Sequence, residues 1–213
     1  MTNQMTKPII IFDLHEVMFA YDYGAAFWHI VRAPHKHRLL LTVCTPRFWV
    51  NVFKLYAKGA VSQEYVLKMA AWHPRLASNV NTGLAIINAQ RPMPGMQQLV
   101  TTLAAAGYEL HIMSNIGQLS FDALKQAHPA LFAPFARFHI ALEYNDYLAK
   151  PQPAAFEQYK QEHNAANRPM IFIDDKLKNV RAAQLSGMLG IRFISVKKLY
   201  AQLARVGISI HAF

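Results

Sequence analysis

The chain has 213 residues, a formal net charge of +10 at neutral pH and a hydrophobic fraction of 53%. These values exclude wholesale disorder and predict one domain with room for a modest appended subdomain. The single cysteine, Cys44, excludes an internal disulfide, and its place beside the apolar run Leu39 to Val43 predicts a buried, unreactive thiol.

The first residues carry only Lys7 as a base ahead of the short apolar run Ile9 to Phe12, which is no secretory signal. No stretch approaches the roughly 18 apolar residues that span a bilayer. Membrane insertion is therefore not expected, and a reducing cytoplasm fits best. The basic residues are scattered, with one dense group at Arg32, His35, Lys36, His37 and Arg38. Without zinc-finger spacing or a basic region feeding heptads, a solvated surface of high pI is favoured over a nucleic-acid partner, which the charge alone leaves open. The expected assembly is a monomer or homodimer.

In chain order, Ile9 to Phe12 is a β-branched run with the character of a buried central strand, and Asp13 follows it directly. From Tyr21 to about Asn88 the pattern turns helical and rich in aromatics, with helices over Tyr23 to Val31, Arg47 to Lys58, and Ser62 to Trp72, where Ser62 is the expected N-cap. The aromatic residues Tyr23, Phe27, Trp28, Phe48, Trp49, Phe53, Tyr56, Tyr65 and Trp72 are expected mostly to pack this helical insert. His29, His35 and His37 lack a Cys or carboxylate companion for a zinc site.

Pro92 to Gly95 then punctuates the chain, and Met96 to Ala106 reads as a helix stopped by Gly107. The remainder alternates strand (Tyr108 to Met113), helix (Phe121 to Ala127), strand (Phe138 to Leu142), helix (Pro153 to His163), strand (Met170 to Ile173), helix (Leu177 to Leu185), strand (Gly190 to Phe193) and a last helix from Lys197 to Val206. This alternation predicts an α/β fold with a Rossmann-like three-layer core, a central parallel sheet and an inserted α-helical cap. The core is assigned to residues 1–17 and 89–213, and the cap to 18–88.

Ligands of such sheets bind at the carboxyl ends of the strands. Strands here end in Asp13, in Ser114-Asn115 and in Asp174-Asp175. A single Asp or a Ser-Asn pair in such a place is also an ordinary turn or cap. Two adjacent carboxylates at the end of a buried strand repel each other and lose hydration, so a nearby cation accounts for them better, and Mg²⁺ suits a site of carboxylates, waters and a substrate phosphate.

These segments resemble the haloacid dehalogenase-like superfamily of hydrolases, dominated by phosphatases, with a helical cap inserted after the first strand. The resemblance rests on Ile11-Phe12-Asp13-Leu14-His15-Glu16-Val17, on Met113-Ser114-Asn115, on Lys150-Pro151, and on Ile173-Asp174-Asp175 with its continuation from Lys176 to Val180. It implies that Asp13 attacks phosphorus to give an aspartyl-phosphate, and that Mg²⁺ is held by Asp13, Asp175 and the backbone carbonyl of His15, with Asp174 acting from the second shell or through water. It further implies that Lys150 steadies the nucleophile and phosphoryl oxygens, and that the Ser114 hydroxyl and Asn115 N–H bind the phosphate.

One departure stands out. The family's phosphatases carry a second Asp two residues after the nucleophile as general acid and base, where this chain has His15. Histidine performs the same proton transfers in principle, and a packing or gating role is the alternative. The expected function is a Mg²⁺-dependent phosphatase acting on a small phosphorylated metabolite. The alternatives are a metal-independent 2-haloacid dehalogenase, whose leaving halide needs no proton, and a catalytically weakened binding protein.

Overall fold

The computed structural model describes residues 6–57, 62–140, 148–164 and 166–210, with side chains between 55 and 65 left out. Its contacts divide the chain into two units, one formed by Met1–Ala20, Pro92–Asn115 and Lys125–Phe213, the other by Tyr21–Arg91 and Ile116–Leu124. The second of these units combines the helical stretch with Ile116–Leu124 from further along the chain.

The first unit is an α/β core. After β1 (Ile9–Phe12), a two-stranded sheet joins β2 (Phe19–Tyr21) to β3 (Gln90–Pro92). The remaining strands are β4 (Glu109–Ser114), β5 (Phe135–Ile140), β6 (Met170–Asp174) and β7 (Leu189–Arg192). Among the described residues, the main sheet has the order β5-β4-β1-β6-β7, with every pairing parallel. Strand β1 sits at the centre because all four of its residues are apolar and buried on both faces.

Side chains alternate across the sheet. On one face Ile9, Ile11, Met113 and Phe172 pack with Ala155, Phe156 and Tyr159 of a helix over Pro153–His163 and with Ala182 and Ala183 of a helix over Leu177–Leu185. A helix over Met96–Ala105 buries Met96, Leu99, Val100 and Leu103, the stripe its spacing predicts. It follows Gly95, whose φ of 79° lies in the left-handed region that favours glycine. A helix over Val196–Arg205 is capped by the Ser195 hydroxyl, which accepts from the Lys198 N–H, and buries Leu199 and Leu203.

In the second unit the chain forms α1 (Tyr23–Val31), α2 (Lys36–Val43), α3 (Pro46–Ala57) and α4 (Ser62–Trp72), then a 3₁₀ turn over Pro74–Asn79 and α5 (Val80–Ile87). Asp22 caps α1 by accepting from the Ala25 N–H at 2.9 Å. Helix α4 begins at Ser62 itself instead of using it as the flanking cap. The expectation that the helical aromatics fill this unit is corrected. Tyr23 is 77% and Phe53 67% exposed, and Phe27, Trp28, Trp49 and Trp72 are exposed too. The side chains of Tyr56 and Tyr65 lie outside the described residues.

The interior is taken instead by Met69 and Leu76, with Leu39, Phe48, Val52 and Ala70 against them. A cavity of about 300 Å³ lies in the same place, lined by Ile30, Leu39, Phe48, Val66, Met69 and Ile87 among others. Cys44 is exposed, not buried. It is the C-terminal cap of α2, whose buried face passes through Thr42, so Leu40 and Leu41 also face solvent.

Among the remaining strands, β5 starts earlier than the sequence reading of Phe138 to Leu142, whose last two residues lie outside the described ones. Ala136 and Arg137 are exposed in it, as suits a strand at the sheet edge. Among the described residues, no helix is long and apolar enough to cross a membrane.

Candidate active site

The parallel sheet brings the carboxyl ends of β1, β4 and β6 side by side, and with them Asp13, Ser114 and Asp174. The Asp13 N–H donates to the Ile173 carbonyl at 2.9 Å, extending the β1–β6 ladder by one residue. Beyond Asp13 the chain turns tightly: the Leu14 carbonyl accepts from the N–H groups of Met18 and Phe19, both at 2.9 Å, and the Glu16 N–H donates to the Phe19 carbonyl at 2.7 Å. Glu16 takes the left-handed backbone at φ 59°, at a cost of about 1 kcal/mol for a residue with a Cβ. The turn points the Asp13 carboxylate back on its own segment, where Oδ1 accepts from the Leu14 N–H at 2.8 Å.

Lys150 organises the charges. Its ammonium is buried and donates to Asp174 Oδ2 at 2.8 Å and to the Met113 carbonyl at 2.7 Å, and it lies 3.0 Å from Asp13 Oδ1. Asn115 holds the Lys150 backbone on both sides, donating from Nδ2 to the Lys150 carbonyl at 2.7 Å and accepting from the Lys150 N–H at 2.9 Å. The sequence reading gave Asn115 only a backbone donor role; the structure adds this clasp. The Lys150-Pro151 peptide is cis.

Asp174 is fully buried and fully engaged. Oδ1 accepts from the Lys176 N–H at 2.9 Å, and Asn179 Nδ2 lies 3.0 Å from both oxygens, while Oδ2 also faces Lys150. Asn179 was missed as a site residue; its only sequence signal is an amide about one helical turn beyond the acidic pair. Asp175 differs from its neighbour: it is partly exposed, and its Oδ1 has no hydrogen-bond partner among the described residues.

Ser114 is buried beside Asp13, close enough to favour its negative charge but without a hydrogen bond of proper geometry for its own Oγ. His15 is half-buried on the turn after Asp13.

The electrostatics follow from these contacts. Burial opposes ionisation of Asp13, yet the charges of Lys150 and His15 and the Lys150 hydrogen bond hold its pKa below the ordinary carboxylate value. Burial likewise opposes the Lys150 ammonium, and the Asp13 and Asp174 carboxylates outweigh it, so its pKa is raised. Burial, helped by Lys176 and Lys150, holds the His15 imidazole below its ordinary pKa despite Asp13. Burial raises Asp175, and the carboxylates of Asp174 and Asp13 add to the shift against Lys176.

The Asp13, Asp174 and Asp175 carboxylates each place an oxygen within 4.8 Å of the others. Three carboxylates against the one buried ammonium leave two negative charges. This cluster can coordinate a metal ion. The unpartnered Asp175 oxygen and the charge surplus both suit a divalent cation with oxygen ligands.

A family model described as haloacid dehalogenase-like hydrolase matches residues 10–187. Among curated proteins, the chain is 33% identical over 101 residues to the sesquiterpene phosphatase astK of Aspergillus oryzae, a match covering 47% of this chain and 50% of that protein. The chain thus spans about half the length of the curated relative it matches.

Among solved structures, it is similar to the HAD family enzyme bt-2542 from Bacteroides thetaiotaomicron, with a TM-score of 0.68 at 19% identity over 92% of this chain and 98% of that one. It is also similar to the L-2-haloacid dehalogenase from Xanthobacter autotrophicus with chloropropionic acid covalently bound, with a TM-score of 0.61 at 16% identity over 96% of this chain and 85% of that one. A third is the putative HAD-hydrolase YfnB from Bacillus subtilis bound to magnesium, with a TM-score of 0.65 at 15% identity over 93% and 99% of the two chains.

Proposed function

Because the chain belongs to the haloacid dehalogenase-like hydrolase family, we propose that it is a Mg²⁺-dependent phosphomonoester hydrolase with Asp13 as its nucleophile. The observation that carries this reading is the approach of Asp13, Asp174 and Asp175 to within 4.8 Å of one another, with an Asp175 oxygen left unpartnered. A metal-free displacement of halide has no use for that second carboxylate at the strand end. Asp13, Asp175 and the backbone carbonyl of His15 would hold the ion, while Asp174, whose oxygens are already occupied by Lys150, Asn179 and the Lys176 N–H, keeps Lys150 in place. When bound, Mg²⁺ supplies the positive charge that offsets repulsion between the Asp13 carboxylate and an anionic phosphate.

An Asp13 oxygen forms a bond to phosphorus as the ester P–O bond breaks and its electron pair leaves with the alcohol oxygen. Water then attacks phosphorus, releasing inorganic phosphate and regenerating the Asp13 carboxylate. Lys150 keeps Asp13 ionised for the attack and would donate to a phosphoryl oxygen, as would the Ser114 hydroxyl, which has no partner among the described residues, and the Asn115 N–H. The leaving oxygen needs a proton, and His15 occupies the position from which the family's phosphatases supply one.

One comparison bears on the substrate. The curated relative is a sesquiterpene phosphatase, which favours a phosphate ester with a hydrocarbon tail over a sugar phosphate.

The test is a panel of aryl, sugar, nucleotide and terpenyl phosphates assayed with Mg²⁺ and with a chelator. We expect Mg²⁺-dependent phosphate release that disappears in Asp13→Asn. Release of halide from 2-haloacids without metal would replace this reading with the dehalogenase one. Silence on the whole panel, together with tight association with a macromolecule, would leave the binding-protein reading.

A further inference from the structure

A second cluster of metal-binding side chains lies in the α/β unit and shares no residue with the aspartate site. His139 stands on the edge strand β5, and Glu162 and His163 lie in the last turn of the helix over Pro153–His163. Among the described residues, these three and the aspartate trio are the groups whose ligand atoms all come within 4.8 Å of one another.

The contacts within the cluster are poor hydrogen bonds. His139 Nδ1 is 3.3 Å and His163 Nε2 3.5 Å from the same Glu162 oxygen, Oε2, whereas N–H···O bonds are about 2.7–3.2 Å long. They do match another geometry. Zinc in tetrahedral coordination has nitrogen and oxygen ligands at about 2.0–2.1 Å, so neighbouring ligand atoms are about 3.3–3.4 Å apart.

The surrounding groups orient the three residues. Gln158 Nε2 donates to Glu162 Oε1 at 2.8 Å, which leaves Oε2 for the two histidines. The Tyr159 ring packs against both imidazoles, at centroid distances of 5.6 Å to His139 and 5.1 Å to His163. Nearby His111 is not available as a ligand, because Tyr159 and Glu109 occupy its two nitrogens.

His139 is 6% exposed, His163 16% and Glu162 34% at the side chain, so one side of the cluster is open to solvent for a fourth ligand. Burial disfavours the charged imidazolium form of both histidines. The helix also ends here, and its carbonyl-rich terminus favours a positive charge.

We propose that His139, Glu162 and His163 form a second metal site, selective for a borderline divalent cation of the zinc class, that ties edge strand β5 to the helix packed on it. Two imidazoles and one carboxylate suit zinc or cobalt, whereas magnesium prefers oxygen ligands and belongs at the aspartates.

The test uses untagged full-length protein stripped of metal and dialysed against Zn²⁺ or Co²⁺ in millimolar Mg²⁺. We expect one tightly bound equivalent, with the visible ligand-field bands of tetrahedral cobalt. Affinity should fall by about 10–100-fold or more in His163→Ala and in Glu162→Gln, while Asp175→Asn keeps the equivalent and its spectrum. Circular dichroism checks folding, and if the alanine variant fails to fold, the near-isosteric Glu162→Gln decides. No retained equivalent under saturating Mg²⁺, an unchanged affinity in Glu162→Gln, or loss of the equivalent in Asp175→Asn would overturn the proposal.

Discussion

Replacing Lys150 by Met removes the charge that two buried carboxylates share, while keeping a side chain of similar length. In the native protein the ammonium is 3.0 Å from Asp13 and 2.8 Å from Asp174. Removing one partner from a buried ion pair costs about 3–5 kcal/mol, because the remaining charge is left without compensation. For a chain of this size that corresponds to a fall in melting temperature on the order of 10 °C.

The pH dependence makes the test specific. The folded pKa of Asp13 is lowered and that of Lys150 raised. The pair's contribution is therefore present above the ordinary carboxylate pKa of about 4 and below the ordinary lysine pKa of about 10.4. Asp13's share is lost only as pH falls through its depressed folded value, and Lys150's only as pH rises through its raised one.

In the variant, burial of Asp13 acts without Lys150 to oppose it, so its folded pKa moves up from its depressed native value. That penalty is present at high pH and is relieved as pH falls. Urea unfolding of both proteins in a chelator, from about pH 8 to about pH 5, should show a stability gap of about 3–5 kcal/mol that narrows with acidity. A gap under about 1 kcal/mol, as for an exposed pair, or one that widens toward acid, would refute the assignment of a shared buried ammonium.

Three further substitutions address other parts of the molecule. His15→Asp supplies the carboxylic acid the family's phosphatases use and should raise kcat/KM on alkyl phosphates by about 10²–10⁴, with much less effect on activated aryl phosphates; equal gains on both classes would show that the residue at this position does not act by protonating the leaving oxygen. Tyr159→Phe deletes the hydroxyl 2.6 Å from buried His111 Nδ1 and should cost about 1–3 kcal/mol in urea unfolding, whereas an unchanged midpoint would mean that the imidazole finds another partner. Gly190→Ala would set a Cβ 2.8 Å from the Val180 carbonyl oxygen; since that is backbone, we expect a loss of about 1–3 kcal/mol, and a melting temperature equal to wild type would show that strand and helix separate freely.

The parts of the fold legible in the sequence are those where one physical effect dominates. The runs Ile9–Phe12 and Met170–Asp174 are buried at every position, so their composition alone marks central strands of a parallel sheet. The helices Leu177–Leu185 and Pro153–His163 have the expected bounds because a Pro at the start of one and Gly187 after the other set their limits. Strand β5 was misplaced because an edge strand obeys no such rule: Phe135 is buried, Ala136 and Arg137 are exposed, and the apolar pattern understates its length. In the helical unit, aromatic content suggested a packed interior, but Met69 and Leu76 form it with Phe48 as one aromatic against them, and Tyr23, Phe27, Trp28, Trp49, Phe53 and Trp72 face solvent.

The same distinction separates what could be foreseen in the candidate site from what could not. Asp13, Ser114 and Asp174 stand at strand ends, and parallel pairing aligns strand ends whatever lies between them in sequence. Lys150 has no strand to place it. Its partners are 137 and 24 residues away, and the arrangement depends on the Asn115 clasp, which is visible only once the loop has folded.

The division of labour in the acidic pair was open for the same reason. Identical side chains at adjacent positions became different when Asn179 and the Lys176 N–H took the oxygens of Asp174 and left Asp175 Oδ1 free. A carboxylate whose lone pairs are filled by the protein serves to position its neighbours, and one with an unfilled oxygen remains able to bind a cation. The chemistry at this strand end is thus decided less by the acidic residues themselves than by the donors around them, and Asn179→Ala would be expected to blur that difference.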